Sequence, residues 1–160
     1  MKTIGISMVG SGFMGKLHTL SIGSYPIYYY PSDVQPRLEC IVGHTPQAAQ
    51  EGMKQFGFRR AATDWRTLLT DENTDVIVIA TPNDLHRQIA IEAIRAGKHV
   101  FCEKPLGLNA QEAYEMYKEA ERMGVVAACG HNNRALAAVR MIKRLMAVSY
   151  THLTLPTNRE

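Results

Sequence analysis

The chain has no cysteine pair at redox or metal-ligand spacing, no block of like charge and no apolar run long enough to span a bilayer. Each absence excludes something. Its three cysteines, Cys40, Cys102 and Cys129, form no C-x-x-C and each lies in an apolar run. They read as buried free thiols in a reducing compartment, not as a disulfide framework or a metal site. A net charge of +3 without a basic tract argues against nucleic acid as a partner and suits a small anionic ligand. No apolar stretch approaches the ~20 residues a membrane helix needs, and the chain enters a strand-like run at once, so no leader is expected. A cytoplasmic protein without a membrane partner is the expectation. At 160 residues and 46% hydrophobic content there is material for one core of ordinary size.

What is present is organised around Val9-Gly10-Ser11-Gly12-Phe13-Met14-Gly15. An apolar run precedes this stretch and an amphipathic one follows it, which reads as strand, tight turn, helix. The glycines fit the G-x-G-x-x-G fingerprint. Gly10 permits the turn, Gly12 lets backbone approach a pyrophosphate, and Gly15 lets helix pack on strand. The helix N-terminus then offers free N–H groups to phosphate. Gly10, Gly12, Phe13, Met14 and Gly15 are therefore candidate cofactor contacts. A purely structural turn is the other reading.

Strands are expected at residues 3–9, 38–42, 60–62, 75–80, 99–102 and 125–129. Helices are expected at 12–23, 46–56, 85–96, 110–123 and 136–146, with a short turn of helix at 65–69. The run Val76-Ile77-Val78-Ile79 is β-branched throughout, as in a strand buried on both faces of a parallel sheet. Thr45 should cap the second helix with Pro46 at its first position. Residues 24–36 carry three prolines and four tyrosines, so the first helix should stop before them. They read as a loop packed down by its rings or as an aromatic flank for a sugar-like substrate. Alternation of strand and helix predicts an α/β fold with a doubly wound parallel sheet in the Rossmann order. Ligands of such sheets bind beyond the carboxyl ends of the strands.

Three stretches at those ends bear chemistry. Thr81-Pro82-Asn83-Asp84-Leu85-His86 opens a helix. Asn83 or Asp84 could be no more than its cap, and His86 no more than a surface residue. Glu103-Lys104-Pro105 puts two opposite charges directly after a strand. Lys104 there can donate to a substrate hydroxyl, or the two charges can form an ordinary surface ion pair of little worth. The Lys104–Pro105 peptide could be cis or trans. After the second strand, Gly43-His44-Thr45 stands where NAD enzymes usually place an acid for the ribose hydroxyls. No carboxylate would repel a 2′-phosphate there, and a protonated His44 could assist it, so both NAD and NADP remain open.

With these motifs in hand, the chain resembles the N-terminal half of the Gfo/Idh/MocA (glucose–fructose oxidoreductase/inositol dehydrogenase) family. The resemblance rests on residues 10–18, 63–66, 80–86 and 96–106. The branch resembled most includes levoglucosan and inositol dehydrogenase-like members. It implies an oxidoreductase that converts a sugar or cyclitol hydroxyl to a ketone with NAD or NADP. By that resemblance Lys104 contacts the reacting hydroxyl. Glu103, Lys104, Thr81, Pro82, Asn83 and His86 line the nicotinamide half, while His44 and Thr45 sit at the adenosine end. Asn132 falls at the family's Asn-x-Arg position, although Gly130-His131-Asn132-Asn133-Arg134 lacks the usual aromatic neighbours.

Family members continue into a second domain with the substrate surface, the oligomer interface and an Asp/His pair. The expectation is thus a dinucleotide-binding domain over residues 1–147, with turnover and homo-oligomer formation belonging to a longer parent, and with an exposed apolar face on the last helix. Residues 148–157 resemble the in-frame translation of a transposon-sequencing adapter, so residues 148–160 are expected to be a non-native tail. A non-catalytic NAD(P)-binding sensor is the competing reading, since a sensor needs the glycine turn but not Lys104.

Overall fold

The computed structural model of the protein describes residues 1–147. These fall into two compact units, Met1–Gly130 and one beginning at His131. The first unit runs β1 (Lys2–Val9), α1 (Phe13–Tyr28), β2 (Val34–Val42), α2 (Pro46–Phe56), β3 (Arg60–Ala62), β4 (Val76–Ile79), α3 (His86–Arg95), β5 (His99–Cys102), α4 (Ala110–Met123) and β6 (Ala127–Cys129). Its strands form one sheet in the order β3-β2-β1-β4-β5-β6, and every pairing is parallel. This is the doubly wound order. The chain reverses direction across the sheet between β1 and β4, which opens a crevice at their carboxyl ends.

Side chains of a strand alternate between the two faces of the sheet, and the core divides accordingly. Val9, Val42, Ile77 and Ile79 pack with Ile89, Ala93 and Ile94 of α3 and with Met116 and Ala120 of α4. Met8, Ile41 and Val78 point the other way, toward Ile22 of α1 and Met53 and Phe56 of α2. Helices on both faces explain why β4 needs apolar residues at every position. Thr45 caps α2 by accepting from Ala48 N at 3.1 Å, and Gly57 closes the helix at φ 78°.

Two boundaries differ from the sequence reading by more than two residues. Helix α1 does not stop at Gly23 but continues through Pro26 to Tyr28. A proline forfeits one backbone donor, and here it falls in the last turn, where Tyr25 and Tyr29 stack at 4.7 Å and Tyr29 N closes on Tyr25 O. The rings of Tyr28, Tyr29 and Tyr30 are exposed, so the reading of a loop packed down by its rings fails. Strand β2 starts at Val34 and includes Pro36, which sits opposite Ile4 of β1. The proline is tolerated because β3 pairs only with Cys40 to Val42, leaving the outer edge of β2 free at Pro36.

The second unit holds a short 3-10 turn, Asn132–Ala135, and α5 (Ala137–Ala147). Helix α5 carries Arg140, Lys143 and Arg144 and exposes Met141, Ile142 and Met146. The tail expected over residues 148–160 lies outside the described residues. Among those described, no helix is long and apolar enough to cross a membrane.

Candidate functional site

The glycine turn fills the crevice end of β1. Gly10 takes φ +106°, and a Cβ there would lie 2.4 Å from Ala80 O, so both conformation and space demand glycine. Gly10 N donates to Val42 O at 2.9 Å. A Cβ on Gly15 would lie 2.4 Å from Gly10 O, whereas one on Gly12 would meet nothing within 4 Å. Gly10 and Gly15 thus serve the protein's own packing, and Gly12 faces open space. Gly12 is also the N-cap of α1, with no side-chain cap and no acid in the first turn. The helix therefore presents free N–H groups and an uncompensated positive end.

A cavity of about 560 Å³ opens beside this turn. Gly10, Gly12, His44, Trp65, Thr81 and Pro82 are among the residues that line it. None of its lining residues is acidic, and His44 is the one titratable group. The Arg66 guanidinium stacks 4.4 Å from the centre of the Trp65 ring, stiffening that wall. A second cavity of about 350 Å³ lies among Ile94, Val100, Met116, Ala120 and Val125. Its wall is mostly apolar, with Glu121 and the helix-closing Gly124 among its residues.

The loop after β4 behaves differently from a helix cap. Neither the 3-10 turn Asn83–Leu85 nor α3 has a side-chain cap hydrogen bond, so the capping reading of Asn83 and Asp84 is overturned. Thr81 Oγ1 and Asn83 Oδ1 are instead buried with no hydrogen-bond partner among the described residues. Orphaned polar atoms cost about 1–3 kcal/mol each, and their place at the crevice gives them a use once a polar ligand is bound. His86, which could have been a surface residue, is 1% exposed. Its Nδ1 meets Pro105 O at 2.9 Å and its Nε2 meets Thr81 O at 3.0 Å. It joins the loops after β4 and β5 and does not line the cavity.

Glu103 and Lys104 also depart from a surface ion pair. Glu103 is buried, and its Oε1 lies 2.8 Å from Nε2 of His18. Its Oε2 accepts from Lys104 N at 3.1 Å. Lys104 itself is exposed, and among the described residues its ammonium has no ion-pair partner. The Lys104–Pro105 peptide is cis. Burial pushes the neighbouring Cys102 thiol up to about 12, with Cys129 and Glu103 adding to it, so Cys102 is no nucleophile at neutral pH.

Of the residues singled out in the sequence, the cavity gathers Gly10, Gly12, His44, Thr81 and Pro82. Phe13 is exposed and Met14 half-buried, and neither lines it. Thr45 spends its hydroxyl on the α2 cap. Asn132 opens the turn of the second unit. The sequence reading missed His18 as an individual residue, although it lies three positions after Gly15 on the inward stripe with Thr19 and Ile22. Together, the open approach at Gly12, the uncapped helix and the orphaned Thr81 and Asn83 oxygens fit a dinucleotide.

Comparison with known proteins agrees with this geometry. Residues 4–131 match a family model described as an oxidoreductase family with an NAD-binding Rossmann fold. A levoglucosan dehydrogenase from Pseudarthrobacter phenanthrenivorans is 37% identical over 144 residues, covering 90% of this chain and 37% of that protein. A myo-inositol 2-dehydrogenase from Thermotoga maritima is 30% identical over 131 residues, covering 81% of this chain and 36% of the relative. A solved levoglucosan dehydrogenase in complex with NADH and levoglucosan superposes with a TM-score of 0.85 at 35% identity, covering 92% of this chain and 40% of that one. The chain thus spans about two fifths of the length of these relatives.

Proposed function

We propose, from the premise that the chain belongs to the Gfo/Idh/MocA oxidoreductase family with its NAD-binding Rossmann fold, that it is the dinucleotide-binding part of a sugar or cyclitol dehydrogenase. The observation that carries this reading is the crevice itself. An open glycine turn, an uncapped helix and the orphaned Thr81 hydroxyl stand at its wall, the orphaned Asn83 oxygen belongs to the same loop after β4, and an exposed lysine follows β5 on the same sheet edge.

When bound, a nicotinamide dinucleotide supplies the hydride acceptor for a carbinol C–H. The N-terminus of α1 and the Gly12 backbone hold the pyrophosphate. Thr81 and Asn83 turn their oxygens toward the donors of the nicotinamide half. Lys104 donates to the oxygen of the reacting hydroxyl and orients its carbon for hydride loss. At the adenosine end, the lack of a carboxylate beside His44 leaves room for NAD or NADP. Exposed Tyr28 and Tyr30 offer apolar faces to a sugar ring. Turnover is proposed for a protein of the relatives' length. For the 160-residue chain alone the expected property is dinucleotide binding without turnover.

The test is Lys104→Ala in a protein of that length. Turnover should fall by about 10²–10⁴, with the affinity for NADH changed less than about twofold. Unchanged turnover sinks the catalytic assignment of Lys104, whereas a protein of that length that binds NADH without any turnover favours the sensor reading.

A further inference from the structure

We propose that His18 is a positioning residue for Lys104, acting through the buried carboxylate of Glu103. This deepens the functional reading above and rests on it. His18 and Glu103 are 18% and 7% exposed at their side chains and meet at 2.8 Å. An ionised carboxylate only accepts, so the imidazole presents Nε2–H to it. The ring is set by an edge-on contact with Phe101, centroids 5.0 Å apart. Among the described residues His18 is the one side chain bonded to Glu103.

The second oxygen of Glu103 is committed to the backbone of Lys104, accepting its N–H at 3.1 Å. The backbone of Glu103 is in turn fixed by donation to Ile79 O at 2.9 Å. Against the carboxylate stands Gly130, where a Cβ would lie 2.7 Å from Glu103 Oε1, so only glycine there leaves the carboxylate its place. On the far side of Lys104, Pro105 O meets His86 at 2.9 Å. The lysine therefore lies between two anchored neighbours, and His18 supplies one of the anchors from α1.

Neither His18 nor Glu103 lines the cavity. What the pair joins is the helix whose N-terminus receives the pyrophosphate and the loop that carries the reacting lysine. A carboxylate buried without its donor is costly. Loss of the imidazole should let Glu103 turn toward water and release the Lys104 N–H, and with it the direction of the lysine.

The experiment reads that N–H directly, by NMR-detected hydrogen exchange on the 160-residue chain, with NADH titration alongside. In His18→Ala the Lys104 amide should exchange about tenfold faster or more, while amides of β1 and β4 stay within about twofold of wild type. His18→Gln, whose side-chain N–H₂ can reach the carboxylate, should restore protection. Gly130→Ala, which crowds the same carboxylate with His18 intact, should also deprotect Lys104. Unchanged Lys104 exchange in His18→Ala, or no rescue by Gln, overturns the proposal. Should His18→Ala deprotect the whole sheet, His18→Gln decides: a protected sheet with Lys104 still protected supports the proposal, and a protected sheet with Lys104 deprotected overturns it. In a protein with turnover, His18→Ala should lower kcat and leave the KM for dinucleotide within about twofold. A wild-type chain that ignores NADH up to about 1 mM overturns the dinucleotide reading instead, and the exchange data then judge the bridge alone.

Discussion

The two ends of the sheet are built from the same strands to opposite rules. At the amino ends, polar groups are cross-bonded. Ser7 and Thr74 share a hydrogen bond of 2.7 Å, Thr74 donates onward to Asp71 at 2.7 Å, and Arg60 pairs with the same carboxylate. Lys98 donates to Asp71 O and Thr74 O, and Gly5 N to Asp75 at 2.7 Å. Glu39, 3% exposed, sits in ion-pair contact with Arg37 and Arg59, and here charge alone does the pairing, since Glu39 Oε1 and Arg37 Nε make no hydrogen bond of ordinary geometry. Among the described residues, at the carboxyl ends, Thr81 Oγ1 and Asn83 Oδ1 are buried without hydrogen-bond partners, Gly12 faces open space, and the Lys104 ammonium is unpaired. The closed end fixes the strands. The open end leaves polar atoms and helix N–H groups to be satisfied by a ligand, at a cost in stability that the closed end can carry.

Breaking the closed end should have the largest effect on folding. Glu39→Ala removes the carboxylate that two arginines surround. Breaking a buried pair costs 3–5 kcal/mol, and Arg37, 35% exposed at its side chain, can partly rehydrate. The expected loss is therefore about 3 kcal/mol, read from the urea midpoint, with the affinity of the folded chain for NADH changed less than about twofold. A variant that keeps its stability but loses dinucleotide binding would reverse the roles assigned to the two ends.

Acid should weaken the closed end in a predictable direction. Burial pushes the Asp71 carboxyl up, but the Thr74 hydroxyl, the Asn73 N–H and the Arg60 guanidinium together outweigh it and hold the group below the usual carboxylate range. A group whose pKa is lower folded than unfolded contributes stability above its unfolded value, ~3.9, and that contribution is lost as pH falls through the folded value. Asp71→Asn should therefore cost about 2 kcal/mol at neutral pH, the worth of hydrogen bonds to a charged group. The gap to wild type should close below about pH 4. A gap of equal size at pH 7 and pH 3 would mean that shape rather than charge holds this corner.

Much of the closed architecture was legible because its signals are local. Helices α2 and α4 and strands β3 and β5 begin and end where the residue pattern puts them, each bounded by a cap, a glycine or a charge within a few positions. The glycine turn was legible for the same reason, since Gly10 and Gly15 are required by their immediate surroundings. The open end was less so. His18 and Glu103 are separated by 85 positions, and no local pattern announces their contact. Asn83 has the residue type of a cap, and only the tertiary placement of its loop makes it an orphan instead. Pro26 was misread because its position in the final turn, not its identity, decides what it does to the helix.

The smallest effect is the sharpest test of the contrast, because its sign differs between the ends. Thr81→Val keeps the β-branched shape and the rotamer and deletes only the hydroxyl. Were Thr81 bonded as Thr74 is, the change would destabilise the chain by about 1 kcal/mol. With its oxygen buried and unpartnered, the valine instead relieves a desolvation penalty. The free chain should hold its stability or gain up to about 1 kcal/mol, while its affinity for NADH falls about three- to tenfold, one hydrogen bond's worth. Calorimetry without ligand and titration with NADH, on the same preparation, separate the two effects. A valine variant that is less stable without ligand would show that the hydroxyl has a partner in the protein, and Thr81 would then belong to the closed rule rather than the open one.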